Sequence, residues 1–248
     1  SPQALPIFRY DFAAKLALAR AAHPERFAPI DEARNKDHTR ELIGFLPWAI
    51  VENCGKLRSS FATLKAFEQH GGTPGEIANA QQNVLYIMGV MGHYVGDAAQ
   101  PLHTTIHHHG WLGANPHGYT TNYSIHSWID GGYFFNTGGL KLETLVGKIH
   151  PAQVVGNPAI SDDLFKQVMA YLIEQHKQLE PLYQLDKDGK LSAEGEKGSE
   201  GRLFLEGQLA KGGQMLGNLW YSAWQHAPED NFLKARLAER AAANGAKK

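Results

Sequence analysis

The sequence predicts an all-α fold, with a single multi-helix domain spanning residues 1–248. Along most of the chain, apolar residues recur at the three- and four-residue spacing of amphipathic helices. No stretch alternates convincingly between apolar and polar residues, as a half-buried β-strand would. Gly- and Pro-rich segments such as 71–75 interrupt the periodic runs, but none marks a strong domain boundary, and no internal repeat is present.

The first half of the chain is predicted to form four helices separated by polar or Gly/Pro-rich segments. These are the approximate ranges 11–22, 37–45, 48–67 and 76–99. Asp37 or Thr39 can cap the second helix, and Pro47 interrupts the chain after it. Thr73 and Pro74 stand where the cap and the first turn of the fourth helix belong.

The second half begins with a loop and returns to helices. Residues 104–124 have no helical period, but they contain Trp111 and Tyr119 and are therefore predicted to be an ordered loop. A short helix holding His126 and Asp130 follows, and Gly131-Gly132 ends it. After an irregular segment, three further helices and one turn are predicted: helices 161–179, 201–226 and 229–243, and a turn at 185–190.

The composition excludes several classes of protein. Of the 248 residues 43% are hydrophobic, and the net charge is −1 with His neutral. These values are typical of a globular chain and argue against a basic, non-specific nucleic-acid coat. The single cysteine, Cys54, excludes an intrachain disulfide framework and a Cys-based zinc cage. The chain contains no apolar run of membrane-spanning length, no Gly-x-Ser-x-Gly nucleophile elbow and no Gly-rich phosphate loop.

Histidine is the unusual residue: seven of the 13 lie between residues 93 and 126. His93 and Asp97 are spaced i, i+4 on the fourth predicted helix, so both side chains share one face. Pro101 redirects the chain, and His103 follows at the bend. Imidazole and carboxylate are ligand types that suit zinc. One such pair alone is most often a surface hydrogen bond, but a second pair, His126 and Asp130, lies 33 residues further on.

Three glycines on the fourth predicted helix form a thin stripe beside these residues, at Gly89, Gly92 and Gly96. Each costs up to about 1 kcal/mol in a helix interior. The stripe therefore predicts that another group, either a packed helix or a metal ligand, approaches closely there.

The motif His93-x3-Asp97-x2-Gln100-Pro101-Leu102-His103, followed by His126-x3-Asp130, resembles the signature of the zinc-dependent phospholipase C and fungal/plant single-strand nuclease superfamily. The resemblance is specific over residues 93–130 and extends more weakly to 44–48 and 219–224. Members of that superfamily are all-helical, hold three zinc ions in a cleft and cleave phosphodiester bonds with a metal-bound hydroxide. The resemblance implies that Gln100 and Pro101 shape the turn and are not ligands.

The resemblance also implies a role for each ligand position by its place in the motif. His93 and Asp97 would bind the first zinc of a close pair, with Asp97 bridging to the second and serving as the catalytic carboxylate. His103, His126 and Asp130 would bind the remaining, more separate zinc. The close pair would flank the attacked phosphorus, and the third ion would neutralise charge on the leaving oxygen.

The N-terminus departs from the superfamily, in which the mature chain starts with a Trp whose amino group and carbonyl bind zinc. A His follows soon after that Trp, and an Asp and a His come later. This chain starts at Ser1 and has no Trp before Trp48. Residues that could replace the missing ligands by type alone are Asp11, His23, Asp31 and His38. Either the chain lacks its N-terminal ligand segment, or it is a divergent branch with one or two zinc ions instead of three.

The loop at 104–124 supplies candidate substrate contacts: His107, His108, His109, Trp111 and Tyr119. The three histidines could contact phosphate, bind metal or form a polar loop. The aromatic rings could stack on a base or line an acyl channel, and for Tyr123 and Trp128 plain packing is at least as good an interpretation.

Three functions follow from these residues. The first is a zinc-dependent phosphodiester hydrolase, with a single-strand nuclease slightly favoured. The second is a zinc-dependent phospholipase C acting on phospholipid head groups, and the third is a non-catalytic helical zinc-binding protein with an incomplete site. The expected partner is single-stranded nucleic acid or phospholipid, with no stable protein partner. The resemblance implies a secreted or periplasmic protein, although the given chain carries no signal peptide.

Overall fold

The computed structural model describes residues 5–27, 29–30, 32–36, 44–192 and 198–245. Over these residues the chain is all-α, as predicted, and contains no β-strand. The helices are α1 (Arg9–Ala22), α2 (Leu46–His70), α3 (Pro74–Ala99), α4 (Ile125–Ser127), α5 (Tyr133–Asn136), α6 (Leu142–Val146), α7 (Asp163–His176), α8 (Leu179–Lys187), α9 (Ser199–Gln225) and α10 (Asn231–Gly245). The 3-10 turns are Pro24–Arg26, Glu32–Arg34 and Pro101–Thr104, and a π-helical turn spans Trp128–Gly132.

The start of α2 differs from the sequence prediction, because the helix begins at Leu46 rather than at Trp48. Pro47 lies in its first turn, where proline is tolerated because its missing N–H has no helical partner. The helix predicted at 37–45 falls largely on residues 37–43, which lie outside the described residues. The remaining two, Gly44 and Phe45, are not helical.

The link between α2 and α3 forms as its sequence predicts. Gly71 ends α2 with a φ of 87°, a left-handed conformation that glycine adopts without strain. Thr73 caps α3 through a reciprocal pair of hydrogen bonds: its hydroxyl accepts from Glu76 N at 3.3 Å, and the Glu76 carboxylate accepts from Thr73 N at 2.8 Å. This tight link makes α2 and α3 antiparallel neighbours.

The second half of the chain corrects three predicted boundaries. Gly131-Gly132 do not end the short helix, because the chain passes through them in the π turn and continues into α5. The helix predicted to reach Leu179 is divided, with α7 ending at His176 and α8 starting at Leu179. The predicted turn at 185–190 is helical as far as Lys187.

Helices α2, α3, α7 and α9 pack around the largest apolar core. Its fully covered side chains include Leu57 from α2, Met91 and Val95 from α3, Val168 from α7 and Leu219 from α9. Burying one such side chain contributes about 1.5–3 kcal/mol relative to exposure. This bundle holds the C-terminal end of α3, where the predicted ligands lie, in a fixed position. Within the described part of the chain, no helix is both long enough and apolar enough to cross a bilayer.

The glycine stripe on α3 does not meet a close neighbour. A Cβ built on Gly89 or Gly96 would have no atom outside the helix within 4 Å, and one on Gly92 would meet only Leu216 Cδ2 at 3.8 Å. The predicted close approach is therefore wrong for the described residues. The stripe lies mostly on the open side of α3, while Met91, Val95 and Ala98 face the core.

A second apolar core supports the loop between α3 and α4. Leu102, Ile125, Ile129, Tyr133 and Tyr183 are buried in it. The loop is also tied by its own hydrogen bonds, for example from Trp111 N to Thr120 O at 2.8 Å. A third, smaller cluster forms where α1 meets α2, with Phe12 stacked on Trp48. The prediction of an ordered loop at 104–124 is confirmed.

Candidate metal centre

The C-terminal end of α3 positions the first group of predicted ligands. Asp97 lies in the last turn of α3, and the helix ends at Ala99 because the following Pro101 cannot continue it. A 3-10 turn, Pro101–Thr104, then folds the chain back and places His103 beside Asp97. Because Pro101 and Leu102 are buried, the turn is anchored to the core.

The second group is positioned by the junction between α4 and the π turn. His126 lies in α4, and Asp130 lies in the π-helical segment, in which Tyr133 N–H bonds to Trp128 O, five residues back. Single π turns occur most often inside helices and at functional sites. Ile125 and Ile129 are buried on the opposite side and hold this segment against the second core.

These two groups meet in one compact cluster. His103 Nε2 and His126 Nε2 are 2.9 Å apart. His103 Nε2 is 3.4 Å from Asp130 Oδ1, and His126 Nε2 is 3.0 Å from Asp130 Oδ2. Ligand atoms bound to a tetrahedral zinc at about 2.0–2.1 Å lie about 3.3 Å from one another. One ligand atom from each of the three side chains lies within 4.8 Å of the others, so this group could hold a metal ion, and its nitrogen and oxygen ligands are types that suit zinc.

The other two predicted ligands continue the cluster along α3. Asp97 Oδ2 is 3.4 Å from His93 Nε2 and 3.7 Å from His103 Nδ1. The side chain of His93 is 71% exposed, whereas Asp97 is 29% exposed. All five residues predicted from the sequence thus form one chain of contacts, but only His103, His126 and Asp130 converge as a three-residue metal group among the described residues.

The pKa values of the three clustered side chains shift in different directions. Hydrogen bonding to Asp130 raises the pKa of His103 above its usual value, whereas burial lowers the pKa of His126. Burial alone would raise the pKa of Asp130, but hydrogen bonds from His103 and Gln100 hold it below its usual range. The lowered pKa values of Asp130 and His126 favour the carboxylate and the neutral imidazole, the forms that bind a metal, whereas the raised pKa of His103 means that a metal would have to displace a proton from its ring.

Gln100 has a role that the sequence did not reveal. Its side-chain Nε2 donates to Asp130 Oδ1 at 2.9 Å, while its Oε1 accepts from Leu102 N at 2.6 Å. One amide group thus links the turn that carries His103 to the carboxylate of the π segment. The motif contains Gln100, but the 30 residues between it and Asp130 conceal the contact.

Replacing Gln100 with Leu is expected to weaken zinc binding by about 10- to 100-fold, the usual effect of removing a partner that orients a metal ligand. The fold should persist, because the lost backbone contact contributes only about 1 kcal/mol. Competition with a chromophoric chelator measures the affinity. Gln82→Leu, at an exposed position of α3, is the matched control, and equal affinities for the two variants would contradict an orienting role.

Two histidines of the loop lie beside the cluster. His109 Nδ1 is 3.3 Å from His126 Nδ1, and its ring stacks on Tyr123 with centroids 4.0 Å apart. His108 is exposed, and its ring centroid lies 5.9 Å from that of His126. His109 can therefore form a hydrogen bond with Nδ1 of His126, the ring nitrogen that does not face the metal group. A contact of this kind fixes the ring orientation of a metal ligand. Tyr123, which plain packing would have buried, is 71% exposed.

The other three candidate substrate contacts pack within the loop itself. His107 stacks flat on Trp111 at 4.1 Å, and its Nδ1 accepts from Leu112 N at 3.0 Å. Tyr119 is only 6% exposed and packs against Trp111 and Tyr183. These rings stabilise the loop, so His108 and His109 are the two of the five that stand next to the predicted ligands.

None of the described N-terminal candidates joins the cluster. Asp11 is exposed on α1, and His23 Nδ1 lies 3.5 Å from Glu25 Oε1, away from any group of metal-binding residues that the described chain contains. Asp31 and His38 lie outside the described residues.

A cleft of about 380 Å³ opens beside Asp97 and His103. Its wall includes Phe45, Leu46 and Tyr94, with Arg9 at the side. Arg9 is held by two bonds to the Glu52 carboxylate, at 3.0 and 2.6 Å. The cleft is therefore partly aromatic and borders the cluster directly.

Comparisons with protein-family models, with curated proteins and with solved structures find no match to this chain. Function is therefore inferred from the residue types and geometry of the cluster.

Proposed function

We propose that this protein is a zinc-dependent phosphodiester hydrolase, with single-stranded nucleic acid as its substrate class. The observation that carries the proposal is the convergence of His103, His126 and Asp130, whose ligand atoms lie within 4.8 Å of one another and are of types that suit zinc. A purely structural zinc site has four protein ligands, most often including cysteine, and the only cysteine here, Cys54, is buried elsewhere in the core.

The residues of the cluster would have different roles in such a site. His103, His126 and Asp130 would hold one zinc, and Asp97 with His93 offers a carboxylate and an imidazole for a second ion. When bound, zinc supplies electrophilic assistance to a phosphoryl oxygen and makes water acidic enough to act as a nucleophile at neutral pH. Gln100 keeps Asp130 oriented, and His109 keeps His126 oriented.

The cleft beside the cluster supports nucleic acid as the substrate. Phe45 and Tyr94 offer aromatic surface on which an unpaired base can stack, an interaction worth about 1–3 kcal/mol per base. The nearly neutral net charge does not oppose this, since bound zinc would supply local positive charge. As a hydrolase of this kind, the protein would act outside the cytoplasm, as the sequence motif implies.

One observation favours a second candidate, a non-catalytic zinc-binding protein. Among the described residues only one group of three converges as a metal site, and Asp97 with His93 is a pair rather than a complete set. A chain with no further ligands would hold one zinc and would have no paired site for hydrolysis.

Metal analysis and an activity assay distinguish these candidates. The purified chain, loaded with zinc and desalted, is expected to contain two or more zinc ions and to cleave single-stranded DNA or RNA. A strong chelator should abolish cleavage, and added zinc should restore it. One zinc per chain with no cleavage of DNA, RNA or phosphatidylcholine would support the non-catalytic candidate instead. Cleavage of phosphatidylcholine alone would assign the substrate to phospholipid head groups and contradict the nucleic-acid proposal.

A further inference from the structure

A second pocket, which shares no lining residue with the metal centre, has the chemistry of a ligand site. It encloses about 290 Å³ between α2, the segment before α7 and the end of α9. Apolar side chains form most of its wall, among them Val51, Val155, Leu164 and Phe165. This volume suits a small ligand, at the lower end of the range for pockets that bind small molecules.

One positive charge borders this apolar space without an anionic partner. Arg58 lines the pocket, and its Nε donates to His226 O at 3.3 Å. No carboxylate within the described residues forms an ion pair with the guanidinium, and no acidic side chain lines the pocket. The two terminal nitrogens of Arg58 have no protein acceptor among those residues, so both can donate hydrogen bonds to an anion.

The part of α2 that lines the pocket also contains a glycine, Gly55. Gly55 lies in the interior of α2 and lines the pocket at its exposed edge, and a Cβ built there would meet no atom within 4 Å. Glycine at this position destabilises the helix relative to alanine, and no neighbour packs into the space it leaves. Because Gly55 lines the pocket, we expect a longer side chain at this position to narrow its opening.

We propose that this pocket binds a small carboxylic acid with an apolar chain, whose carboxylate pairs with Arg58 and whose chain lies against Val51, Leu164 and Phe165. The charge of Arg58 selects an anion, and its fork fits the two oxygens of a carboxylate. The apolar wall selects a ligand with an alkyl or aromatic body. The site shares no residue with the metal centre, so the proposal does not depend on the phosphodiesterase function.

The test uses octanoate as the probe on the full chain, followed by amide chemical shifts in nuclear magnetic resonance. Octanoate is expected to bind with a Kd of about 0.1–1 mM, as a ligand of about ten non-hydrogen atoms would, and to shift the amides of Gly156 and Ser161. Octanol, which lacks the charge, and acetate, which lacks the chain, are expected to bind at least tenfold more weakly. Equal binding of octanol would overturn the carboxylate assignment, and no shift at about ten times the expected Kd would overturn the site.

Two variants separate the site from general stability. Arg58→Met should weaken octanoate binding by about 10- to 100-fold, whereas Lys56→Met, at an exposed position of α2 outside the pocket, should not. Gly55→Leu should abolish binding and raise Tm by about 2–4 °C, because leucine favours the helix. Gly207→Leu, in α9 and also without a neighbour within 4 Å, provides the same helix change far from the pocket. Unchanged binding in Gly55→Leu would overturn the proposal even if Arg58→Met did not fold.

Discussion

Asp130→Asn is expected to remove zinc from the His103–His126–Asp130 site and to lower phosphodiester hydrolysis by at least a hundredfold. Loss of a mere orienting partner costs about 10- to 100-fold in metal affinity, so loss of a charged ligand should cost more. Asparagine has nearly the same shape as aspartate, but it cannot supply the negative charge that lies 3.0 Å from His126 Nε2 and 3.4 Å from His103 Nε2. Zinc content by elemental analysis and cleavage of single-stranded DNA are the two measurements.

The Asp97→Asn variant tests the role of the His93–Asp97 pair independently of the His103–His126–Asp130 group. This variant keeps His103, His126 and Asp130, so it should retain one zinc, but it should lose hydrolysis because the ligands for a second ion are incomplete. The control is Asp188→Asn, an exposed carboxylate that accepts a hydrogen bond from Gln184, for which zinc and activity should remain. An Asp130→Asn protein that keeps its zinc would contradict the assignment of the site. An Asp97→Asn protein that unfolds would indicate a structural role.

The sequence could indicate the grouping of these residues because most of their geometry is local. The spacing of His93 to Asp97 and of His126 to Asp130 places each pair on one helical face, and the Pro101 turn is encoded next to His103. The meeting of the two pairs is not local, since it depends on how Leu102 and Ile125 pack in the second core. The hydrogen bond from Gln100 to Asp130 also depends on this packing, so it could not be predicted from the sequence.

The errors in the predicted fold follow from competition between local signals and packing. Gly131-Gly132 predicts the end of a helix. The structure instead keeps the chain helical through a π turn, because Ile129 and Tyr133 on either side are buried in the second core. A proline disrupts the interior of a helix but is tolerated in its first turn. Which of these applies to Pro47 depends on where α2 begins, and it begins at Leu46. The pocket at Arg58 is assembled from segments about 100 and 165 residues apart, so no local pattern indicates it.

The largest effect on stability is expected at Glu206, a buried carboxylate on α9 that joins two parts of the chain. Its oxygens lie 2.8 Å from Lys148 Nζ and 3.1 Å from Arg202 Nη1, and Arg202 also donates to the carbonyls of Thr137 and Gly139. Glu206→Gln would leave both cations without their anion. Breaking a buried pair costs about 3–5 kcal/mol. Both cations are partly exposed and can regain water, so we expect a loss of about 2–3 kcal/mol in the free energy of unfolding at pH 7.

The same contact makes this loss depend on pH. The hydrogen bond from Lys148 is the first cause that holds the pKa of Glu206 below its usual range, and Arg202 adds to it against the opposing effect of burial. A lowered folded-state pKa contributes stability that is fully present above the unfolded pKa of about 4.3 and is lost as the pH falls through the folded value.

Urea unfolding should therefore show the full difference between wild type and Glu206→Gln at pH 7 and a smaller one below pH 4. Glu200→Gln removes an exposed carboxylate from the same helix, 2.7 Å from Lys190 Nζ, and should cost much less stability than Glu206→Gln at pH 7, because exposed ion pairs contribute little. If the two glutamine variants lose equal stability, or if the Glu206→Gln loss does not change with pH, the buried carboxylate is not what joins the 137–148 segment to α9.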